Sequence, residues 1–173
     1  MKNSHTRTKK VAFVGVCASL ALLLSYVEFL LPPIFAAVPG IKIGLPNVVI
    51  LYVLYSLGAK HAIAVSFIRI FISAILFGNA MTLAYSVAGA VLSLLVMIIL
   101  KKIDKFSAVG VSVAGGVSHN LGQILVAILL LDTPQIGYYM IVLAVTGTVS
   151  GILVGLCGAI LINRLPINKF FRT

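Results

Sequence analysis

From Val11 to Leu31 the chain reads VAFVGVCASLALLLSYVEFLL, and Glu28 is the only charged residue in it. Folded as a helix, a run of this length covers about 30 Å, the thickness of a bilayer's hydrocarbon core. Similar runs recur along the chain. The core of a bilayer offers no water to the backbone, so an apolar segment crossing it must satisfy its own N–H and C=O groups as a helix. Composition points the same way. Of 173 residues 61% are hydrophobic and 9% charged, more apolar surface than a soluble domain of this size can bury. The expected fold is all-α: a polytopic membrane helical bundle of six transmembrane helices. These span about 11–31, 45–58, 61–77, 82–100, 108–131 and 137–162, in one integral membrane domain over 1–173.

Two of the six depart from the ideal length. The second has about 14 residues, well under the ~20 that a full crossing needs. It either extends into the preceding PGIKIG segment or is a partial or tilted span. The last is long and is expected to tilt. The opening MKNSHTRTKK followed by an apolar run has the outline of a signal peptide. That apolar run is too long, however, and no clean A-x-A-like site follows, so it reads as an uncleaved first helix.

The net charge of +10 raises the question of a nucleic-acid partner. The cations sit between hydrophobic runs, which is the pattern of membrane topology, and no nucleic acid is expected. With six alternating helices, eleven of the thirteen Lys and Arg residues fall on one side. They are Lys2, Arg7, Lys9, Lys10, Lys60, Lys101, Lys102, Lys105, Arg164, Lys169 and Arg172. The other side has Lys42 alone, and Arg69 lies within a span. The positive-inside rule then places both termini in the cytoplasm, with the chain a multi-pass protein of the plasma membrane. The outer loops are 32-PPIFAAVPGIKIG-44, 78-GNAM-81 and 132-DTPQ-135. The first is long and apolar enough to lie on the membrane surface or cap a cavity. Cys17 and Cys157 fall in apolar runs with no metal-ligand spacing, and read as small packing residues.

Small residues mark the expected packing faces. Gly147, Gly151 and Gly155 recur at spacing four in the last span, with Gly158 close to the same face. Such spacing lets two helix backbones approach closely. Looser pairs occur in the first span (Gly15/Ser19, Cys17/Ala21, Ala21/Ser25) and the fourth (Ser86/Ala90, Gly89/Ser93). These faces serve either the bundle's own packing or another membrane subunit.

Polar groups within spans are costly in lipid and normally face the interior, so four places stand out. Arg69, in SFIRIFIS, lies about 12 Å into the third span. It is either a structural ion-pair partner or an anion-binding group. In 118-SHNLGQ-123, His119 lies about 16 Å deep and Gln123, four residues on, shares its direction. Asn120 is about 100° away around the helix. Gly115, Gly116 and Ser112 leave room beside this face. The group either binds a ligand or hydrogen-bonds neighbouring helices. Glu28 is either a solvated interface residue, a partner for Lys42, or the rim of an outward site. Lys42 and Asn47 flank the start of the second span, where Pro46 suits a first helical turn; they are either an anion or carbonyl contact beside a helix N-terminus or an ordinary capped helix entry with a snorkelling Lys. With Lys42, Arg69 and His119 outnumbering Glu28, a shared cavity would take an anionic or polar small molecule.

Several chemistries are unsupported. There is no G-x-x-x-x-G-K phosphate loop, so ATP hydrolysis would need a partner. No two carboxylates share a helical turn, so no metal site or Mg²⁺–diphosphate chemistry is expected. No nucleophilic triad stands out. The expectation is a non-enzyme with no catalytic residues and no cofactor.

The stretches PGIKIGLPNVVILYVLYSLG, RIFISAILFGNAMTLAYSVAGAVLSLLVM and VSVAGGVSHNLGQILVA resemble a small membrane family. It is called heptaprenyl diphosphate synthase component I, and also the Gx transporter family. The resemblance covers about 11–163 and is most specific around Lys42–Asn47, Gly78-Asn79 and His119–Gln123. The family is in turn similar in size and layout to the substrate-binding S-components of energy-coupling-factor transporters. That likeness implies binding and transport of a vitamin-, flavin- or isoprenoid-related ligand, with an energy-coupling partner supplying ATP hydrolysis. The synthase name implies instead an accessory subunit of polyprenyl diphosphate formation or of a membrane redox assembly. The D-D-x-x-D motifs of prenyltransferases are absent here, so the chain would not be the catalytic subunit. The A-x-x-x-A docking pattern of S-components is present only as pairs such as Cys17/Ala21. The candidate ligand-binding residues are thus Glu28, Lys42, Asn47, Arg69, His119, Asn120 and Gln123 from their places in and beside the spans, with Asn79 added by the resemblance.

Overall fold

The computed structural model describes residues 2–31, 44–132 and 134–167. Among them are six α-helices: α1 (Lys2–Leu30), α2 (Pro46–Ser56), α3 (Ala59–Phe77), α4 (Ala80–Ile103), α5 (Ala108–Leu131) and α6 (Met140–Arg164), with a 3-10 turn over Pro134–Tyr139 before α6. Five of the helices are long and apolar enough to cross a membrane, and α2 is the shorter one. The helical membrane bundle expected from the hydropathy pattern is therefore present. The expected spans match the observed helices closely except at the first. There α1 starts nine residues earlier, at Lys2 rather than Val11. Once the apolar part is helical, each added residue gains a backbone bond without a new nucleation cost, so the basic segment continues the helix.

Local chemistry sets the breaks. Gly58, at φ +93°, makes the α2–α3 turn, and its N–H bonds the Val53 carbonyl. Glycine reaches that conformation without a Cβ clash. Asp104 and Asp132 end α4 and α5 in the left-handed region, which a short polar side chain tolerates. Ser107 caps α5 by accepting from the Gly110 N–H.

Helix α5 packs between α4 and α6, α1 packs along α3, and α2 touches α1, α3 and α6. The shortest helix is the most enclosed: seven of its eleven residues are buried, including the whole run Val49–Leu54. At about 16 Å long it is too short to span a membrane. It serves instead as the apolar centre around which the longer helices stand. The core cluster joins Cys17, Ala18 and Ala21 of α1 and the α2 run to Ala62, Val65, Leu94, Met97 and Val111. All of these lie toward one end of the bundle. That end carries Lys9, Lys10, Lys60, Lys101, Lys102, Lys105 and Arg164, and is called the basic end below. The C-terminal end of α1 lies at the opposite end, and the short α2 starts between the two.

Two contacts hold α2 at the basic end. Tyr52 Oη donates to the Leu165 carbonyl at 2.9 Å, tying α2 to the residue that caps α6. Lys101 Nζ donates to the Leu54 carbonyl and lies 5.1 Å from the centroid of the Tyr55 ring. The last carbonyls of a helix have no intrahelical donor, and Lys101 supplies one while its charge meets the aromatic face.

Candidate functional site

The α1 stripe Cys17, Ala18, Ala21 and Ser25 is buried, and Glu28 continues it at helical spacing. The α3 stripe Ala62, Val65 and Ser66 is likewise buried, and Arg69 continues that one. Helical periodicity therefore turns both charged residues toward the interior of the bundle. Because α1 packs along α3, the two stripes meet. The Glu28 carboxylate accepts a hydrogen bond from the Gly44 N–H at the entrance to α2. Arg69 Nε is buried with no hydrogen-bond partner among the described residues.

The start of α2 completes this group. Gly44 has φ +77°, and a Cβ there would come within 3.0 Å of Asn47 Nδ2. The Asn47 N–H returns to the Gly44 carbonyl at 2.8 Å. Pro46 stands in the first helical turn, where its missing N–H leaves nothing unsatisfied. Glu28, Gly44 and Asn47 thus form a hydrogen-bonded polar group where α1 meets the entrance to α2, and Arg69 continues the α3 stripe that packs along α1. Free backbone donors at a helix N-terminus and a buried guanidinium both favour an acceptor-rich, anionic group. Lys42, expected beside Asn47, lies outside the described residues, as does the outer segment 32–43.

The SHNLGQ residues are placed differently. His119 of α5 lies in a notch on α4: a Cβ on Gly89 would come within 2.9 Å of its Cε1, Nε2 and carbonyl oxygen. Asn120, about 100° around α5, faces α6, and its Nδ2 donates to the Leu143 carbonyl at 2.7 Å. Gln123 is half-buried and falls, by helical rotation, between these two packed faces. His119 and Asn120 therefore occupy the two seams that α5 makes with its neighbours. Asn79 caps α4 through a reciprocal box: its Oδ1 accepts from the Thr82 N–H at 2.9 Å, and its own N–H donates to Thr82 Oγ1 at 2.8 Å.

The glycines of α6 lie against α5 in antiparallel order. A Cβ on Gly147 would meet the Gly116 carbonyl oxygen at 3.1 Å, on Gly151 the Val113 Cα at 2.6 Å, and on Gly155 the Val109 Cα at 2.8 Å. Gly158, next along, abuts Leu51 of α2. On α5, Gly122 faces the backbone of Ala88 and Gly89, and Gly115 faces Met97 and Ser93. Small-residue spacing in sequence has become close backbone approach on both sides of α5. Cys17 is buried and Cys157 exposed, both as free thiols. No group of three His, Cys, Asp or Glu residues among those described is placed to hold a metal ion.

Sequence reasoning missed the roles of Tyr52 and Lys101. Both could have been sought by asking which donors serve the carbonyls of a helix that ends inside the protein. No curated protein and no solved structure matches the chain. A model of the family described as heptaprenyl diphosphate synthase component I matches residues 17–161, from within α1 to near the end of α6. This membrane protein belongs to the heptaprenyl diphosphate synthase component I family.

Proposed function

We propose that the protein is a membrane substrate-binding subunit that takes a small organic ligand with an anionic or strongly polar group. The observation that carries this reading is the buried Arg69 Nε with no partner among the described residues. An unsatisfied buried donor costs on the order of 1–3 kcal/mol, and a ligand acceptor would recover that cost. Glu28, the Gly44 N–H and Asn47 stand with it as the polar frame of the site. Gln123, between the two seams of α5, is a further candidate wall. His119, Asn120 and Asn79 contribute by fixing helices rather than by presenting free groups.

By the positive-inside rule the basic end faces the cytoplasm and the Arg69 site opens toward the outer side of the plasma membrane. Capture from outside followed by transfer inward, as in an energy-coupling-factor S-component, needs a partner that hydrolyses ATP. A vitamin-, flavin- or isoprenoid-related molecule fits the expected chemistry. The family's description supports a second reading, in which this chain is a non-catalytic subunit beside a polyprenyl diphosphate synthase.

The test is mass spectrometry of small molecules extracted from the purified chain, compared between wild type and Arg69→Met. Loss of one charge-assisted hydrogen bond, worth about 1.5–3 kcal/mol, lowers affinity about 10- to 150-fold. The copurifying ligand should therefore disappear while the folded bundle persists. Equal ligand load in both proteins would refute the assignment of Arg69. A changed product length when the chain is added to a soluble prenyltransferase would favour the second reading.

A further inference from the structure

A groove opens between α1 and α6 toward the basic end. Its volume is about 560 Å³. One wall is Phe13, Val16, Cys17 and Leu20 of α1, and Val49 and Tyr52 of α2 form the floor. The other wall is Leu161 and the turn Arg164–Ile167. The groove exists because α2 is short and sits behind both longer helices, so that α1 and α6 lean on α2 rather than on each other along this stretch. The Tyr52–Leu165 hydrogen bond holds the turn after α6 against the floor.

Two features define what would fill it. Val16 and Leu20 line the groove and are 64% and 47% exposed, so it opens sideways, where a bilayer's hydrocarbon would lie. An extended apolar chain fits such a slot. Its polar end would meet cations: Arg164 lines the mouth, and Lys9 and Lys10 precede Phe13 by one helical turn on the same face of α1. We propose that this groove is a binding site for one anionic, phosphate-bearing membrane lipid, with its hydrocarbon chain along α2 and its headgroup at Arg164, Lys9 and Lys10. The charge complementarity is that of basic residues at an anionic leaflet surface. The site goes beyond the ligand reading above and stands or falls independently of it.

Native mass spectrometry of the full chain, titrated with dioleoyl phosphatidylglycerol, tests the proposal. Parallel titrations use dioleoyl phosphatidylcholine and dihexanoyl phosphatidylglycerol. The long-chain anionic lipid should bind most tightly. Arg164→Gln should weaken it about fivefold, the effect of one cation near an anionic surface. Val16→Trp and Leu20→Trp place bulk in the groove at exposed positions and should each abolish the tight adduct. Leu125→Trp, on the exposed face of α5, should leave it unchanged. Equal binding of phosphatidylcholine, or of the short-chain lipid, would overturn the proposal, because either the charge or the groove would then be irrelevant. So would an adduct that survives both tryptophan variants, since the lipid would then be merely annular. A chain dimer lost in those variants while lipid binding persists would assign the groove to a second copy and equally overturn it.

Discussion

Replacing Gly151 with alanine puts a methyl carbon 2.6 Å from the Val113 Cα and 3.1 Å from the Ser112 carbonyl oxygen. Carbon atoms rest at about 3.5–4.0 Å, so α5 and α6 would have to separate locally by about 1 Å. Both obstructing groups are backbone, so no rotamer change relieves the clash. The same shift would loosen Gly147 against Gly116 and Gly155 against Val109, because all three steps share one seam. Overpacking of this kind costs about 1–3 kcal/mol. Gly15→Ala is the internal control: a Cβ there meets nothing within 4 Å. On helix propensity alone it should stabilise α1 by about 0.5–1 kcal/mol. The assay is thermal unfolding followed with a thiol-reactive fluorophore in a Cys157→Ser background. Cys17 is buried and reacts much faster once the bundle opens. At roughly 2–4 °C per kcal/mol for a chain of this length, Gly151→Ala should lower the midpoint by several degrees, and Gly15→Ala should raise it or leave it unchanged. Equal midpoints for Gly151→Ala and wild type would refute the close-seam argument, as would a Gly15→Ala loss as large as that of Gly151→Ala.

Asn120→Ala removes the 2.7 Å bond to the Leu143 carbonyl. Interhelical bonds in membranes average about 0.6 kcal/mol with a maximum near 1.7, so a small fall in the same midpoint is expected; a loss above about 3 kcal/mol would mean that Asn120 does more than join α5 to α6. Asn79→Ala breaks the capping box of α4 at a cost of about 1 kcal/mol, whereas Asn79→Ser retains most of it. Faster amide exchange at Thr82 in Asn79→Ala, but not in Asn79→Ser, is the check.

The reach of the sequence differs from residue to residue. Arg69 was legible as an interior group because a charge in an apolar run has few alternatives. Its neighbours were not, because Glu28 is 41 positions away and its meeting with Gly44 depends on how α1, α2 and α3 lean together. His119 and Gln123 share a direction by rotation, but the Gly89 notch that receives the His119 ring lies on another helix. The local signal of Asn79, an Asn followed three residues later by a hydroxyl side chain, points equally to a cap. The same four residues, Asn79 to Thr82, could have been read that way.

The sequence by itself determined that this chain is a helical membrane bundle, where its helices break, and which end collects the cations. Those properties are local: hydrocarbon forces each long apolar run to satisfy its backbone as a helix, and glycine and aspartate mark the turns. Only the tertiary structure decided that the shortest helix, α2, is the centre of the core and that α5 carries a glycine seam on each side. It likewise turned Glu28 and Arg69 toward the packed faces of α1 and α3 and left an apolar groove between α1 and α6. In lipid, the faces that meet hydrocarbon and the faces that meet protein are both apolar. Hydrophobicity therefore cannot say which is which, and the partners follow from the fit of small residues against backbone across the folded chain.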